Sequence, residues 1–191
     1  IFIDIGQNVV IEGDNVTDAI NEGVRQAYAE GHLRKSIVDD PVFERKNTQT
    51  NTPAVIHTKI VPGNKIKILV APKGGGCENM GDLKMLKPAQ GSQGVIDFVV
   101  DTVRKAGPNT CPPIYVGVGI GGSMEQAAIL SKKALFQKVI PEAELERKAQ
   151  NDKKYKLAYD MFQKIRKLGL GTQGIGGRET AFAINIEMYP C

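Results

Sequence analysis

Residues 109–122 decide the fold, and they read Asn-Thr-Cys-Pro-Pro-Ile-Tyr-Val-Gly-Val-Gly-Ile-Gly-Gly. Over residues 114–120, β-branched side chains alternate with tyrosine and glycine, and this period of two predicts a β-strand. Gly117 and Gly119 leave one face of that strand bare, so another backbone or a ligand can come close to it.

Cys111 precedes the strand on a stiff segment. Pro112 and Pro113 fix φ and donate no backbone hydrogen bonds, and Pro112 favours an extended conformation for Cys111. Two interpretations of the thiol stay open on the pattern alone. Cys111 is either an incidental core cysteine at the head of a buried strand, or a thiol held in place for chemistry.

The composition is that of a soluble globular protein. The chain has 191 residues, 41% hydrophobic and 24% charged, enough for one domain with a core or at most two small ones. The net charge of +4, with dispersed lysines and no interleaved aromatics, argues against nucleic-acid binding. No apolar run approaches the roughly 20 residues needed to cross a bilayer, and no signal-peptide pattern is present. We therefore expect a cytoplasmic protein.

Three cysteines, Cys77, Cys111 and Cys191, are far apart and odd in number. This argues against a disulfide framework and for a reducing compartment, and it leaves metal binding or catalysis open. The chain starts at Ile1 without Met, inside a strand-like run, and it stops directly after another such run. We therefore expect it to be part of a longer polypeptide.

Periodicity and capping signals predict an α/β fold, a single domain over residues 1–191 with a mixed β-sheet, packed helices and glycine-rich loops at strand ends. A turn is predicted at residues 13–15 and a hairpin across residues 62–64, with Thr17 and Ser123 as N-caps and Gln126 as the reciprocal cap of Ser123. The predicted strands cover residues 1–6, 54–60, 65–71, 114–120 and 181–189. The predicted helices cover residues 18–30, 94–106 and 124–138, and residues 141–168 form a long charged helical region.

Three polar or glycine-rich loops are candidate binding segments. The Asn and Thr side chains of residues 45–53 either bond the backbone locally or face a polar ligand. Residues 72–79 contain three successive glycines, which form either an anion nest or a plain flexible turn. Residues 169–178 are a second glycine-rich loop. Arg34 follows the first helix and is either a cation favourable to the helix dipole or part of an anion site.

Several common enzyme classes lack their residues in this chain. The histidines are His32 and His57, and no Gly-x-Ser-x-Gly motif is present, which argues against a Ser-His-Asp hydrolase. A nucleophile pair of Cys111 and His57 stays open without support from spacing. The absence of Cys-x-x-Cys and His-x-x-x-His argues against a self-contained zinc site.

Residues 71–76 (Ala-Pro-Lys-Gly-Gly-Gly), 109–122 and 169–174 (Gly-Leu-Gly-Thr-Gln-Gly) carry a resemblance to a known family. They resemble the class I, iron–sulfur fumarate hydratases, and more closely the separate α subunit that is shared with L-tartrate dehydratase. Cys-Pro-Pro followed by the glycine-alternating strand is the specific part, and residues 47–57 also fit. The resemblance covers essentially the whole chain in the same order.

This resemblance implies a hydro-lyase that hydrates fumarate to (S)-malate, or alternatively the α subunit of an L-tartrate dehydratase. The family holds a [4Fe–4S] cluster with three cysteines, and the fourth iron acts as a Lewis acid. Cys111 is implied as one ligand, with the others expected in a Cys-Gln-Asp-Thr-Gly motif before Ile1 and beyond Cys191. Cys77 and Cys191 do not match the ligand positions. The bare strand face and the turn after it are expected to leave room for the cluster.

The resemblance also assigns substrate contacts and partners. Arg34 matches a carboxylate-binding arginine, suited to bidentate capture, and Gly74, Gly75 and Gly76 match a backbone contact to substrate. The proton-abstracting groups are implied outside this chain, so no catalytic base is named. The expected partners are a β subunit, a dicarboxylate and a second α subunit, without nucleic acid or membrane. The rival hypothesis is a non-catalytic binding or regulatory subunit.

Overall fold

The computed structural model describes residues 1–13 and 15–191, and it confirms the α/β class with a mixed sheet. The turn predicted at residues 13–15 includes Asp14, which lies outside the described residues. The strands are β1 (Phe2–Gly6), β2 (His57–Val61), β3 (Ile66–Leu69), β4 (Ile114–Gly121) and β5 (Ala181–Tyr189). The helices are α1 (Val16–Glu30), α2 (Gly75–Glu78), α3 (Gly91–Ala106), α4 (Met124–Ala134), α5 (Glu142–Ala149) and α6 (Lys153–Arg166).

The chain divides into two compact units, which are Ile1–Gly75 and Gly76–Cys191. The first contains β1, α1, β2 and β3, and the second contains the remaining strands and most of the helices. The domain boundaries predicted from the sequence stay a prediction.

Strand β1 is the centre of the sheet in the first unit. The strand order is β2-β1-β3, with β2 parallel and β3 antiparallel to β1. The predicted hairpin between β2 and β3 is therefore wrong, because β1 lies between them and pairs with both. The connecting turn closes over the end of β1, where a Cβ on Gly6 would lie 2.5 Å from the Gly63 carbonyl oxygen. Only a glycine leaves room for that turn.

Helix α1 begins at Val16, two residues earlier than its predicted start at residue 18. The Asn15 side chain accepts a hydrogen bond from the Thr17 amide at 2.8 Å, so Asn15 is the N-cap and the prediction of Thr17 is wrong. Gly31 is the C-cap residue and its amide donates to the Ala27 carbonyl at 2.9 Å. Every residue of α1 is exposed or half-buried.

Strands β4 and β5 form a parallel pair that carries the core of the second unit. Val116 pairs with Ile184 and Val118 with Ile186, so these side chains share one face of the sheet. That face packs against α3 and α6. The buried cluster comprises Ile96, Val99, Val100, Val103, Val118, Leu145, Leu157, Ala158, Met161, Phe162, Ile165, Ala181, Ile184 and Ile186.

The opposite face of β4 is the bare face predicted from Gly117 and Gly119, and helix α4 fills it. A Cβ on Gly117 would lie 2.1 Å from the Ser131 carbonyl oxygen, and one on Gly119 would lie 2.0 Å from the Ala127 carbonyl oxygen. The absence of side chains at Gly117 and Gly119 therefore allows the backbone of α4 to pack directly against β4. The expectation that this face leaves room for a cluster is wrong, because α4 occupies it.

The helices after β4 are shorter than predicted. Ser123 is at the N-cap position of α4, but its hydroxyl donates to Glu125 Oε1 at 2.6 Å instead of forming the predicted capping box with Gln126. The long charged region is divided into α5 and α6. Asp152 causes the division, because its carboxylate caps α6 by accepting from the Lys154 amide at 2.7 Å.

An arginine near the end of α6 joins three segments. The Arg166 side chain is only 10% exposed, and it forms ion pairs with Glu142 at the start of α5 and with Glu179 just before β5. These charge-assisted hydrogen bonds fix the direction in which the chain enters β5.

Among the residues that the structure describes, no helix is both long and apolar enough to traverse a bilayer.

Replacing Gly119 with Ala should destabilise the chain by about 2–3 kcal/mol, because the new methyl group forces α4 away from β4. Urea unfolding followed by circular dichroism measures the change. Gly23→Ala on α1 is the matched control, since a Cβ there meets nothing within 4 Å and the change should be neutral or stabilising. Equal unfolding midpoints for Gly119→Ala and the parent chain would contradict the close packing.

Candidate functional site

Cys111 lies at the head of β4, directly after a 3-10 turn over Gly107–Thr110. The residue is exposed, so the interpretation as a core cysteine is wrong. Its backbone has φ 53° and ψ 61°, in the left-handed region, and not the predicted extended conformation. The reason is the 3-10 turn, which outweighs the preference that Pro112 imposes, since the Cys111 amide closes the turn by donating to the Pro108 carbonyl at 2.9 Å.

The glycine-rich loop at residues 169–178 supports this turn from the other side. The Gln173 amide donates to the Pro112 carbonyl at 2.6 Å, and Pro112 is fully buried. Gly174 has φ +75°, and a Cβ there would lie 2.6 Å from the Pro108 side chain. The loop thus holds the residues on both sides of Cys111. Sequence reasoning identified the loop as a candidate binding segment and missed this supporting role, although its glycines were a signal of close backbone contact.

A second segment, residues 76–80, lies against the Cys111 turn. A Cβ on Gly76 would be 2.9 Å from the Asn109 carbonyl oxygen. The Cys77 thiol donates to the Thr110 carbonyl at 3.5 Å, and Asn109 Nδ2 lies 3.9 Å from Met80 Sδ. The structure therefore brings Gly76 and Cys77 to the site of Cys111, all within the second unit.

The triple glycine forms the start of a helical turn. Gly75 and Gly76 belong to α2, and Gly74 precedes it. A Cβ on Gly74 or Gly75 would meet nothing within 4 Å, and residues 71–79 are exposed. The backbone at Gly74 and Gly75 is therefore open to solvent, and contact with a substrate there stays a prediction.

Arg34 lies in the first unit, on the segment that follows α1, and its side chain is exposed. Asn51 Oδ1 accepts from the Ser36 amide at 2.8 Å, and Asn47 Nδ2 donates to the Lys35 carbonyl at 2.9 Å. Across residues 1–13 and 15–191, no carboxylate pairs with the Arg34 guanidinium. Arg34 is thus an accessible cation on a segment that side-chain amides hold in place.

Side chains of the polar loop at residues 45–53 form local hydrogen bonds, as the first interpretation expects. Asn47 Oδ1 accepts from the Gln49 amide at 2.7 Å, and the hydroxyls of Thr50 and Thr52 are 2.7 Å apart. Contact with a polar ligand stays a prediction. His57 follows in β2 and stacks on Phe2, with 4.9 Å between ring centroids. These contacts hold the loop and the start of β2 in place.

Cys191 is remote from Cys111. The strands β4 and β5 are parallel, Cys111 precedes β4 and Cys191 follows β5, so the two thiols lie at opposite ends of the pair. A nine-residue strand such as β5 is about 30 Å long, so the two residues cannot share a site within one chain. Within the described residues, no three His, Cys, Asp or Glu side chains are grouped to hold a metal ion.

A surface cavity of about 500 Å³ also occurs in the second unit. It lies between residues 82–84 and α3, and Asp97, Asp101 and Lys105 are among its lining residues. Arg34, Cys111 and the triple glycine do not line it, so the motifs of the sequence give it no role.

Asp40 is a feature of the first unit that sequence reasoning missed. Its carboxylate accepts hydrogen bonds from four successive amides, those of residues 42–45, at 2.7–3.0 Å. These bonds lower the pKa of Asp40 from 3.8 to about 2, and the bond from the Phe43 amide contributes most to the shift. The Asp-Pro pair at positions 40 and 41 was the available signal, since it favours a turn.

Comparison with known proteins gives matches along the whole chain. A family model described as "Fumarate hydratase (Fumerase)" matches residues 1–191. A relative from Methanocaldococcus jannaschii, named "Putative L(+)-tartrate dehydratase subunit alpha", is 38% identical, with 100% of this chain and 66% of the relative covered. The L(+)-tartrate dehydratase subunit alpha of Escherichia coli strain K12 is 31% identical, with 97% of this chain and 60% of the relative covered. The chain thus spans less than two thirds of the length of these curated relatives.

The Asp40 carboxyl should titrate with a pKa of about 2, and the amide chemical shifts of residues 42–45, which donate to it, should change together with that midpoint. Because the folded pKa lies below the ordinary value, the carboxylate stabilises its loop above about pH 4, and this support is lost as the pH falls through about 2. Amide chemical shifts followed by NMR as a function of pH measure the titration. Asp40→Asn is the control, since it removes the titrating group and keeps one acceptor oxygen. A midpoint near 3.8 would show that the amides do not bind the carboxylate.

Proposed function

The chain belongs to the fumarate hydratase family, and on that premise we propose that it is the α-type part of an iron–sulfur hydro-lyase for four-carbon dicarboxylates. The observation that carries the proposal is the exposed Cys111 thiol, fixed on a supported turn, in a chain that the family model matches from end to end. Cys111 is where the resemblance puts a cluster ligand, and burial in the core is not its role.

A [4Fe–4S] cluster fits the donor chemistry of Cys111, because a thiolate is the ligand that such clusters take. Cys111 would hold one iron. The described residues offer no group of three donors, so the remaining ligands would come from polypeptide outside these 191 residues. The cluster, when bound, supplies a Lewis-acid iron for the substrate hydroxyl and carboxylate.

By the resemblance, further residues of this chain bind the substrate. Arg34 binds a substrate carboxylate through its exposed guanidinium. The open backbone at Gly74 and Gly75, with Gly76 beside the Cys111 turn, donates amide hydrogen bonds to the substrate. Gln173 positions the turn that carries Cys111. The proton-abstracting base lies outside this chain.

Two substrates are candidates. The names of the relatives favour L(+)-tartrate, and the family description names fumarate hydratase, while the sequence motifs do not distinguish the two diacids. Both reactions remove or add water across one carbon–carbon bond, with a hydroxyl leaving one carbon and a proton leaving its neighbour. Loss of water from tartrate gives the enol of oxaloacetate, and loss of water from malate gives fumarate. The same residues therefore serve either diacid.

The partners follow from the same premise. The relatives are named as α subunits, which supports a β subunit as the partner of this chain. Pairing with a second α subunit and a cytoplasmic location belong to the same proposal.

Anaerobic reconstitution of the complete α polypeptide with its β subunit tests the proposal. The parent complex should show a broad visible iron–sulfur absorbance and should convert L-tartrate or fumarate, whereas Cys111→Ser should lose both. Cys191→Ser is the matched control and should keep both, because Cys191 lies at the far end of the β4–β5 pair. A cluster-replete complex that converts neither diacid would overturn the hydro-lyase assignment, and a complex that assembles no cluster would favour a non-catalytic binding subunit.

Arg34→Ala should raise the KM or Kd for the diacid by about 10–100-fold, the range expected for loss of a charge-assisted hydrogen-bonded pair. The visible absorbance of the cluster should not change. Steady-state kinetics and isothermal titration with the diacid measure the effect, and Lys35→Ala is the neighbouring control. Loss of the cluster with unchanged diacid affinity would identify Arg34 as a structural residue instead.

A further inference from the structure

We propose that Cys77 and Cys111 form a reversible disulfide when the chain meets a peroxide, which makes this pair of loops a thiol-modification site. The inference deepens the proposed function and rests on it for its consequence, since Cys111 is the proposed cluster ligand. The proximity of the two thiols does not depend on any cofactor.

The distance between the two cysteines follows from one contact. Cys77 Sγ lies 3.5 Å from the Thr110 carbonyl oxygen, and Cys111 is the next residue. A carbonyl oxygen lies about 2.8 Å from the following Cα in a trans peptide, so Cys77 Sγ is within roughly 6 Å of the Cys111 Cα. The two Cα atoms are then at most about 9 Å apart, against about 4.4–6.8 Å in disulfides. Closing the bond takes a shift of a few ångströms at most.

One of the two cysteines sits on a segment that can make this shift. Cys77 belongs to α2, a single exposed helical turn that starts with two glycines. This turn makes two further contacts within the second unit. Gly76 lies close to Asn109, and Glu78 forms an ion pair with Lys132. Cys111 is fixed by the buried Pro112 and by Gln173. For the disulfide to form, we expect the Cys77 segment to move and the Cys111 turn to stay in place.

Both thiols are exposed, so a small oxidant reaches either of them. Hydrogen peroxide oxidises one thiol to a sulfenic acid while its O–O bond is reduced, with release of one water. The second thiol attacks that sulfur and displaces the hydroxyl group as a second water. The two thiols lose two electrons and two protons in total, and a dithiol reductant reverses the reaction.

The site would couple oxidation to the iron centre. In the disulfide, the sulfur of Cys111 is not a thiolate and cannot ligate iron. Oxidation therefore blocks cluster assembly until a reductant restores the thiols. Cys191 is too far along the sheet to replace Cys77 as the partner in the same chain.

Peptide mapping after oxidation tests the inference on the cluster-free chain. Trypsin releases Cys77 in residues 74–84, Cys111 in residues 106–132 and Cys191 in the peptide that begins at residue 179. Hydrogen peroxide or diamide should yield a peptide pair that joins 74–84 to 106–132, lighter by two hydrogens and separated by dithiothreitol. Cys77→Ser should abolish the pair, and Cys191→Ser should leave it unchanged.

The contradicting outcomes are distinct from those of the proposed function. Sulfinic or sulfonic acid at Cys77 or Cys111 without the linked peptides would overturn the inference, as would links found only between chains on a non-reducing gel. If the linked peptides form but Cys111→Ser still assembles a normal cluster, the inference stands and the assigned ligand fails. If Cys111→Ser loses the cluster and no linked peptides form, only the inference fails.

Discussion

The close approach of α4 to β4 is the contact on which the second unit depends. The carbonyl oxygens of Ala127 and Ser131 occupy the space where side chains on Gly119 and Gly117 would be. Because no side chain separates them, helix and strand backbones meet at a fixed distance. The other face of β4 is then free to build the core with β5, α3 and α6. A strand held from both faces gives Cys111 a rigid base.

Much of this unit could be predicted from the sequence, because its signals are local. The period of two in β4 and β5 and the apolar stripe of α3 follow from single segments. The hairpin in the first unit could not be predicted correctly, since β1 enters between β2 and β3 from about 50 residues away in the chain. The conformation of Cys111 was also out of reach, because a hydrogen bond to Pro108 outweighs the local preference that Pro112 imposes.

The candidate site shows the same division. The Cys-Pro-Pro motif and the basic segment after α1 each left two interpretations open, and the family resemblance was needed to single out Cys111 and Arg34. The support from Gln173 runs through backbone atoms, which leave no mark on side-chain identity, and the glycines of its loop were the signal of that contact. The position of Cys77 beside Thr110 depends on tertiary contact, so no spacing rule contains it.

The residues that hold the Cys111 turn lie late in the chain, so they are synthesised well after Cys111 itself. The Ile114 amide donates to the Thr180 carbonyl, and Gln173 holds Pro112, so the ribosome must add more than 60 residues after Cys111 before its turn is complete. Parallel pairing of β4 with β5 also has to wait for the three helices between them. During that interval the nascent Cys111 thiol is present without its native geometry, so maturation of any centre on it has to follow the synthesis of residue 180.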